Sequence, residues 1–216
     1  MEVATLNARC MIAVSDSEVI MVLPALNECD GVSLTIKEAL GSLSVSRIVV
    51  VNGHSIDGTP EVAANCGATV LNQREHGKGA AILEALEYLG ALSQKPGCLV
   101  FCDADYSYSL QSLPAMVGLI TGDPSVGMVV GNRFSEFKLW DYFKDRYMFG
   151  NLILRGMHRL LNGVRLKDPL SGLRILRFKA VEGLKVESRG FDVEVELNCR
   201  LLERGWRIYE VPVMYR

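Results

Sequence analysis

No C-x-x-C pair, no low-complexity tract and no solenoid-period repeat occurs in this chain, and no apolar run nears the roughly 20 residues that cross a bilayer. Each absence removes a class. The cysteines (Cys10, Cys29, Cys66, Cys98, Cys102 and Cys199) are spread singly, and no histidine stands at metal-ligand spacing. That argues against a zinc finger or a redox dithiol and leaves small buried hydrophobes as the expectation. P-loop and G-x-G-x-x-G patterns are missing as well. Residues 1–17 have neither the basic start nor the apolar stretch of a secretory leader, so an intracellular, cytoplasmic protein is expected.

What remains is an ordinary globular composition, 49% hydrophobic and 22% charged, in 216 residues that fit a single domain. The net charge of −2 is unevenly spread. Residues 1–132 hold 6 Lys+Arg against 14 Asp+Glu, whereas residues 133–179 hold 11 against 4. A basic block beside an acidic half suggests an anionic partner, either phosphate or an anionic membrane surface. Nucleic acid is not expected, because neither an aromatic-interleaved basic stretch nor a helix-turn-helix pattern accompanies the charge.

Strands and helices alternate through the first half. Residues 19–23, 47–51, 69–71 and 98–102 read as strands, and residues 32–43 and 77–92 read as helices. Thr59-Pro60 opens another helix, with a capping hydroxyl and proline in the first turn. Such alternation predicts an α/β fold with a doubly wound, mostly parallel sheet, whose ligands bind beyond the carboxyl ends of the strands. Residues 25–28, 52–57 and 103–107 would then surround one crevice. Further on, residues 126–131, 173–178 and 207–213 read as strands, and residues 145–162 and 191–203 as helices. Residues 1–18 read as an N-terminal extension, with 19–132 and 133–216 as the two halves of the domain. The chain stops directly after a strand, and the expectation is a longer parent protein.

Asp103-Ala104-Asp105 follows the strand at residues 98–102. Two carboxylates so close repel one another unless a hard divalent cation such as Mg²⁺ or Mn²⁺ joins them and bridges to substrate phosphates. A surface turn with capping aspartates fits the same residues. Asp57, after Asn52-Gly53-His54-Ser55-Ile56, could accept hydrogen bonds from a base or ribose, or simply close a strand-to-helix turn. Lys78, in His76-Gly77-Lys78-Gly79, stands where a helix N-terminus suits an anion. Arg133, Arg146 and Arg174 are candidate holders of an acceptor phosphate, with Ser171 in the turn before Arg174 added to that set. Asp192, Glu194 and Glu196 alternate along the last predicted helix.

Taken in order, these landmarks resemble the family 2 glycosyltransferases, above all their polyprenyl-phosphate branch, which includes the dolichyl-phosphate mannose synthases and archaeal dolichyl-phosphate hexose synthases. The likeness runs from about Val19 to Arg216 through Leu23-Pro24-Ala25-Leu26-Asn27-Glu28, residues 52–59, His76-Gly77-Lys78-Gly79, Asp103-Ala104-Asp105, Gly131-Asn132-Arg133-Phe134, residues 168–174 and Gly190-Phe191-Asp192-Val193-Glu194.

The resemblance implies a GT-A fold whose residues 19–132 are a nucleotide-sugar-binding half and 133–216 an acceptor-binding half, with a nucleotide-sugar pocket of Pro24, Ala25, Asn27, Glu28, Asn52, Asp57, Lys78, Asp103, Ala104 and Asp105. It implies Mg²⁺ or Mn²⁺ on Asp103 and Asp105, with Ser107 where some relatives supply a third ligand. Asp105, Arg133 and Arg146 would be the catalytic groups, and dolichyl or another polyprenyl phosphate the acceptor. Asn52 departs from the family's usual aspartate. The Q-x-x-R-W signature of processive relatives is absent, which argues against polysaccharide synthesis.

A phosphate monoester is largely a dianion at neutral pH and needs no strong general base, so orientation and electrostatics would carry an in-line, inverting displacement. The helix around Tyr147 to Leu161 would lie near the membrane surface, with the protein peripheral at the cytoplasmic face. A soluble phosphorylated or sugar acceptor, or a non-catalytic nucleotide-binding module, stays open on this evidence.

Overall fold

A computed structural model describes residues 18–42, 44–135, 155–156, 159–160, 163, 165–190 and 192–216. The long helix expected over residues 145–162 lies largely outside them, and so does Arg146.

The described chain folds as β1 (Val19–Ala25), α1 (Cys29–Gly41), β2 (Arg47–Asn52), α2 (Thr59–Asn65), β3 (Thr69–Asn72), α3 (Lys78–Gly90), β4 (Cys98–Phe101), α4 (Leu113–Gly122), β5 (Val126–Asn132), β6 (Arg174–Arg177), the short α5 (Phe178–Val181), α6 (Val193–Glu203) and β7 (Arg207–Pro212). The strands form one seven-stranded sheet in the order β3-β2-β1-β4-β6-β5-β7, which draws on both halves of the sequence.

Alternation along each strand sorts side chains onto two faces. Met21, Leu23, Val50 and Val100 pack with Ile36, Met116 and Ile120 from α1 and α4. Ile20, Val22, Val49, Leu99 and Val130 pack on the other face with Ile82, Leu89, Leu197 and Leu201 from α3 and α6. The result is a sheet covered by helices on both sides, as the strand–helix alternation predicts. Cys98 and Cys102 are buried in it, with the Cys98 thiol pushed up to about 11 by burial, while Cys29, Cys66 and Cys199 are only half-buried.

One strand departs from the parallel rule. Strand β6 runs antiparallel between β4 and β5, so residues 168–173 enter the sheet at the rim where the parallel strands end. The chain also moves outward from β1 to β2 and β3, then returns to place β4 on the other side of β1. This is a topological switch point, where the loops after β1 and β4 diverge and leave a crevice. Among the described residues no helix is long and apolar enough to cross a membrane.

Candidate active site

Three loops meet at that crevice. The loop after β1 is tied to the loop after β2: the Asn27 amide N–H donates to Ser55 Oγ (2.9 Å), and Asn27 Oδ1 accepts from the Ile56 N–H (2.9 Å). Asn27 takes a left-handed φ of 56°, which asparagine tolerates better than most residues. Asp57 accepts from the N–H of Cys29 (3.0 Å), the first residue of α1, and from the backbone and hydroxyl of Thr59 at the start of α2. Those bonds, the Thr59 hydroxyl first, hold its carboxyl below the usual range. Asp57 therefore ties the first residues of two helices together.

Asn52 is turned inward and 6% exposed, with its amide shared between Asn72 and the Ser55 N–H. In this structure its side chain ties the loop after β2 to β3. Ala25 and Ala104 are likewise buried. They contribute backbone: the Ala25 carbonyl accepts from Gly53 and the Ala104 carbonyl from Thr35.

The loop after β4 carries the acidic pair. Asp105 is exposed, and its Oδ1 accepts from the Ser107 N–H (3.0 Å) and hydroxyl (2.6 Å), so Ser107 orients Asp105 in this structure. The first turn of α1 presses against it. A Cβ on Gly31 would sit 2.7 Å from the Asp105 backbone, so glycine there permits the approach. Glu28 lies across the crevice; partial burial, then Asp105, Asp103 and Asp57, raise its pKa. The neighbouring carboxylates thus disfavour the charge on Glu28.

Lys78 is drawn into this group rather than left at a helix terminus. Its ammonium lies 2.6 Å from Asp103 Oδ1 and 2.7 Å from Glu194 Oε1. Burial acts to lower its pKa, but the two carboxylates outweigh that and hold it above its ordinary value. The start of α3 is not open to an anion. The Arg189 carbonyl accepts from the Gly79 N–H at 2.9 Å and the Ala80 N–H at 3.4 Å, and a Cβ on Gly77 would meet that carbonyl oxygen at 2.2 Å. The glycines of this motif make room for a neighbouring loop.

The far side of the crevice is built by residues 168–172. Arg133 forms a two-pronged pair with Asp168, Nε to Oδ2 at 2.7 Å and an Nη to Oδ1 at 2.9 Å, with its guanidinium over the rings of Tyr108, Phe134 and Tyr215. Burial opposes its charge, yet the Asp168 bond holds it strongly protonated. Asp168 is fully buried, so Asp168→Ala would leave Arg133 without its counter-charge. We expect it to cost about 3–5 kcal/mol of stability, read as a lowered denaturation midpoint.

Arg174 and Ser171 are corrections. Both are buried, at 1% and 0% exposure, and Arg174 spends its donors on the carbonyls of Ser171, Pro169 and Glu194 and on Asn198 Oδ1. Neither can reach an acceptor phosphate directly; they hold the loop that carries Asp168.

Other residues of the site carry no motif. The buried Tyr108 hydroxyl accepts from the Gly172 N–H at 2.8 Å and pins the loop against Asp103. Arg216 donates to the carbonyls of Tyr106 and Tyr108 and pairs with Glu38 at 2.8 Å, clasping the loop after β4 from its other side. A tyrosine or terminal arginine gives no spacing signal, so only the fold exposes these roles.

The family model of glycosyl transferase family 2 matches residues 20–184. The chain belongs to that family. A dolichyl-phosphate hexose transferase from Haloferax volcanii is 30% identical over 172 residues, covering 79% of this chain and 70% of the relative. Glycosyltransferase AglJ from the same organism is 28% identical over 197 residues, 91% of this chain but 62% of AglJ, so the chain spans less than two thirds of that relative. Among solved structures, glucosyl-3-phosphoglycerate synthase from Mycobacterium tuberculosis, in complex with Mn²⁺, UDP-glucose and phosphoglyceric acid, superposes with a TM-score of 0.73 at 22% identity, over 93% of this chain and 72% of that one. At that identity the likeness shows the fold, which is of GT-A type.

Proposed function

We propose that this family 2 glycosyltransferase moves a hexose from a nucleotide diphosphate sugar to a polyprenyl-type phosphate, with inversion. The observation that supports it most is the meeting of Asp103, Asp105 and Glu28 in a switch-point crevice whose floor is fixed by Asn27, Asn52 and Asp57. The similarity to a dolichyl-phosphate hexose transferase favours a lipid-linked acceptor.

The donor set fits a hard cation. It offers the carboxylate oxygens of Asp103 and Asp105, whose charges bear on Glu28, although among the described residues no cluster of three or more His, Cys, Asp or Glu is arranged to hold a metal alone. Mg²⁺ sites commonly use one or two carboxylates and leave the rest to phosphates and water. Asp105 and Asp103 would hold Mg²⁺ or Mn²⁺, which when bound would offset charge on the leaving diphosphate.

The chain's own residues would do the positioning. Backbone at Pro24, Ala25 and Asn27 lines the nucleotide, and Asp57 fixes that loop's angle. Arg133 has Nε and one Nη turned to Asp168, which leaves its opposite edge to meet the acceptor phosphate. The lipid phosphate would approach at the cytoplasmic membrane surface and be held by Arg133, with Arg146 proposed from the sequence alone as a second holder. Because the acceptor is already an anion, holding it in line suffices, with no base to deprotonate it.

The test is transfer of labelled GDP-mannose or UDP-glucose with Mn²⁺, in the presence of dolichyl phosphate or of 3-phosphoglycerate. We expect label to enter the organic phase with the lipid. Label found only in a water-soluble phosphoglycerate product would reject the lipid acceptor.

A further inference from the structure

The two carboxylates that share Lys78 are unlike. Asp103 opens onto the crevice, with a side chain 32% exposed, whereas that of Glu194 is 4% exposed. Glu194 Oε2 is buried and has no hydrogen-bond partner among the described residues. A half-satisfied buried carboxylate is costly; the Lys78 ammonium pairs with it directly, and the buried Arg174 guanidinium also feels its charge. Lys78 is the cation that touches both carboxylates. A divalent cation on Asp103 would compete with Lys78 for the same side chain.

Resting on the donor-site reading above, we propose that Lys78 is a resident counter-cation that the metal displaces from Asp103. The ammonium holds Asp103 in place until the metal arrives, then stays on Glu194, whose buried charge keeps it beside the incoming diphosphate. Lys78 and Glu194 are positioning residues in this scheme, and Glu194 sets how firmly the ammonium grips Asp103.

This arrangement makes the loss of Glu194's charge and the further loss of Lys78 act in opposite directions on metal binding, which a merely structural role would not. Glu194→Gln removes the competing anchor and leaves Lys78 to Asp103, so Mn²⁺ should bind more weakly, roughly threefold or more. Lys78→Met/Glu194→Gln removes the competitor without stranding a buried carboxylate, so Mn²⁺ should bind roughly tenfold more tightly than to Glu194→Gln.

The measurement is Mn²⁺ titration of the full chain without nucleotide, followed by the spin-resonance signal of free Mn²⁺, with Asp105→Asn as the site control and a thermal melt for each variant. Equal affinities for wild type and both Glu194 variants, with binding lost in Asp105→Asn, would overturn the exchange while leaving the metal site standing. Binding that survives Asp105→Asn unchanged would sink the donor-site reading itself, and this inference with it. If the double variant melts early, Lys78→Arg replaces it: a forked cation that keeps Glu194 paired should weaken Mn²⁺ binding, and an unchanged affinity counts against the proposal.

Discussion

Asp105→Asn is expected to lower hexose transfer by at least about 10²–10³-fold, the scale of losing several kcal/mol of electrostatic stabilisation. The melting temperature should stay close to wild type. The reason lies in how the side chain is used. Asp105 is exposed, and one oxygen is spent on the backbone and hydroxyl of Ser107, two bonds that an asparagine carbonyl can still accept. What asparagine removes is the charge and the second carboxylate oxygen facing the crevice. A loss of activity with an intact melt would separate a chemical role from a turn-forming one. Asparagine is the better replacement here than alanine, which would release Ser107 as well.

Gly172→Ala should have a comparable effect from the opposite wall. A Cβ at this position would sit 2.1 Å from Asp103 Oδ2 and 2.6 Å from its Cγ. The loop cannot easily retreat, because the Gly172 N–H is held by the buried Tyr108 hydroxyl and the neighbouring residues by Arg174. Asp103 must therefore turn off Lys78 or the loop must break its bonds. Displacement of an aligned group by about 1 Å can cost on the order of 10²-fold, so we expect activity to fall by about that factor. The overpacking itself should cost about 1–3 kcal/mol of stability. Gly118→Ala serves as the control, since a Cβ there meets nothing within 4 Å on the exposed side of α4, and its turnover should be unchanged. Equal kcat for the two alanine variants would mean that the Gly172–Asp103 contact has no bearing on chemistry.

Much of the fold was legible because its signals are local. Apolar β-branched runs marked β1, β2 and β4, and Thr59-Pro60 marked the start of α2. Strand–helix alternation then put Asp103 and Asp105 at the carboxyl edge of a parallel sheet. Strand β6 shows where such reasoning stops: an apolar segment gives its own extended shape but not the direction in which it joins a sheet. Helix α4 escaped the sequence reading because Leu113-Pro114-Ala115-Met116-Val117-Gly118 has weak apolar periodicity and contains a helix-disfavouring glycine.

Within the site, residue type marked the acidic pair but not the direction in which other side chains turn. Asn52, Ser171 and Arg174 carry groups able to meet a ligand, and the fold consumes them internally. Lys78 was drawn toward the right neighbourhood for a different reason, since its partners are Asp103 and Glu194 rather than an anion at a helix start. Such pairings bring residues 25 to more than 100 positions apart into contact, beyond what spacing along a chain can show.

The central claim is that the end of β4 holds a metal–nucleotide pair, and thermal stability with nucleotide sugars tests it most directly. Wild type and Asp105→Asn would each be melted with GDP-mannose or UDP-glucose, with and without Mn²⁺. At a donor concentration of about 100 times Kd, wild type should gain about 2.7 kcal/mol, or about 5–10 °C in a chain of this size, only when nucleotide sugar and Mn²⁺ are both present. The same gain should be absent in Asp105→Asn. A shift that needs no metal, or that is as large in Asp105→Asn as in wild type, would contradict the account.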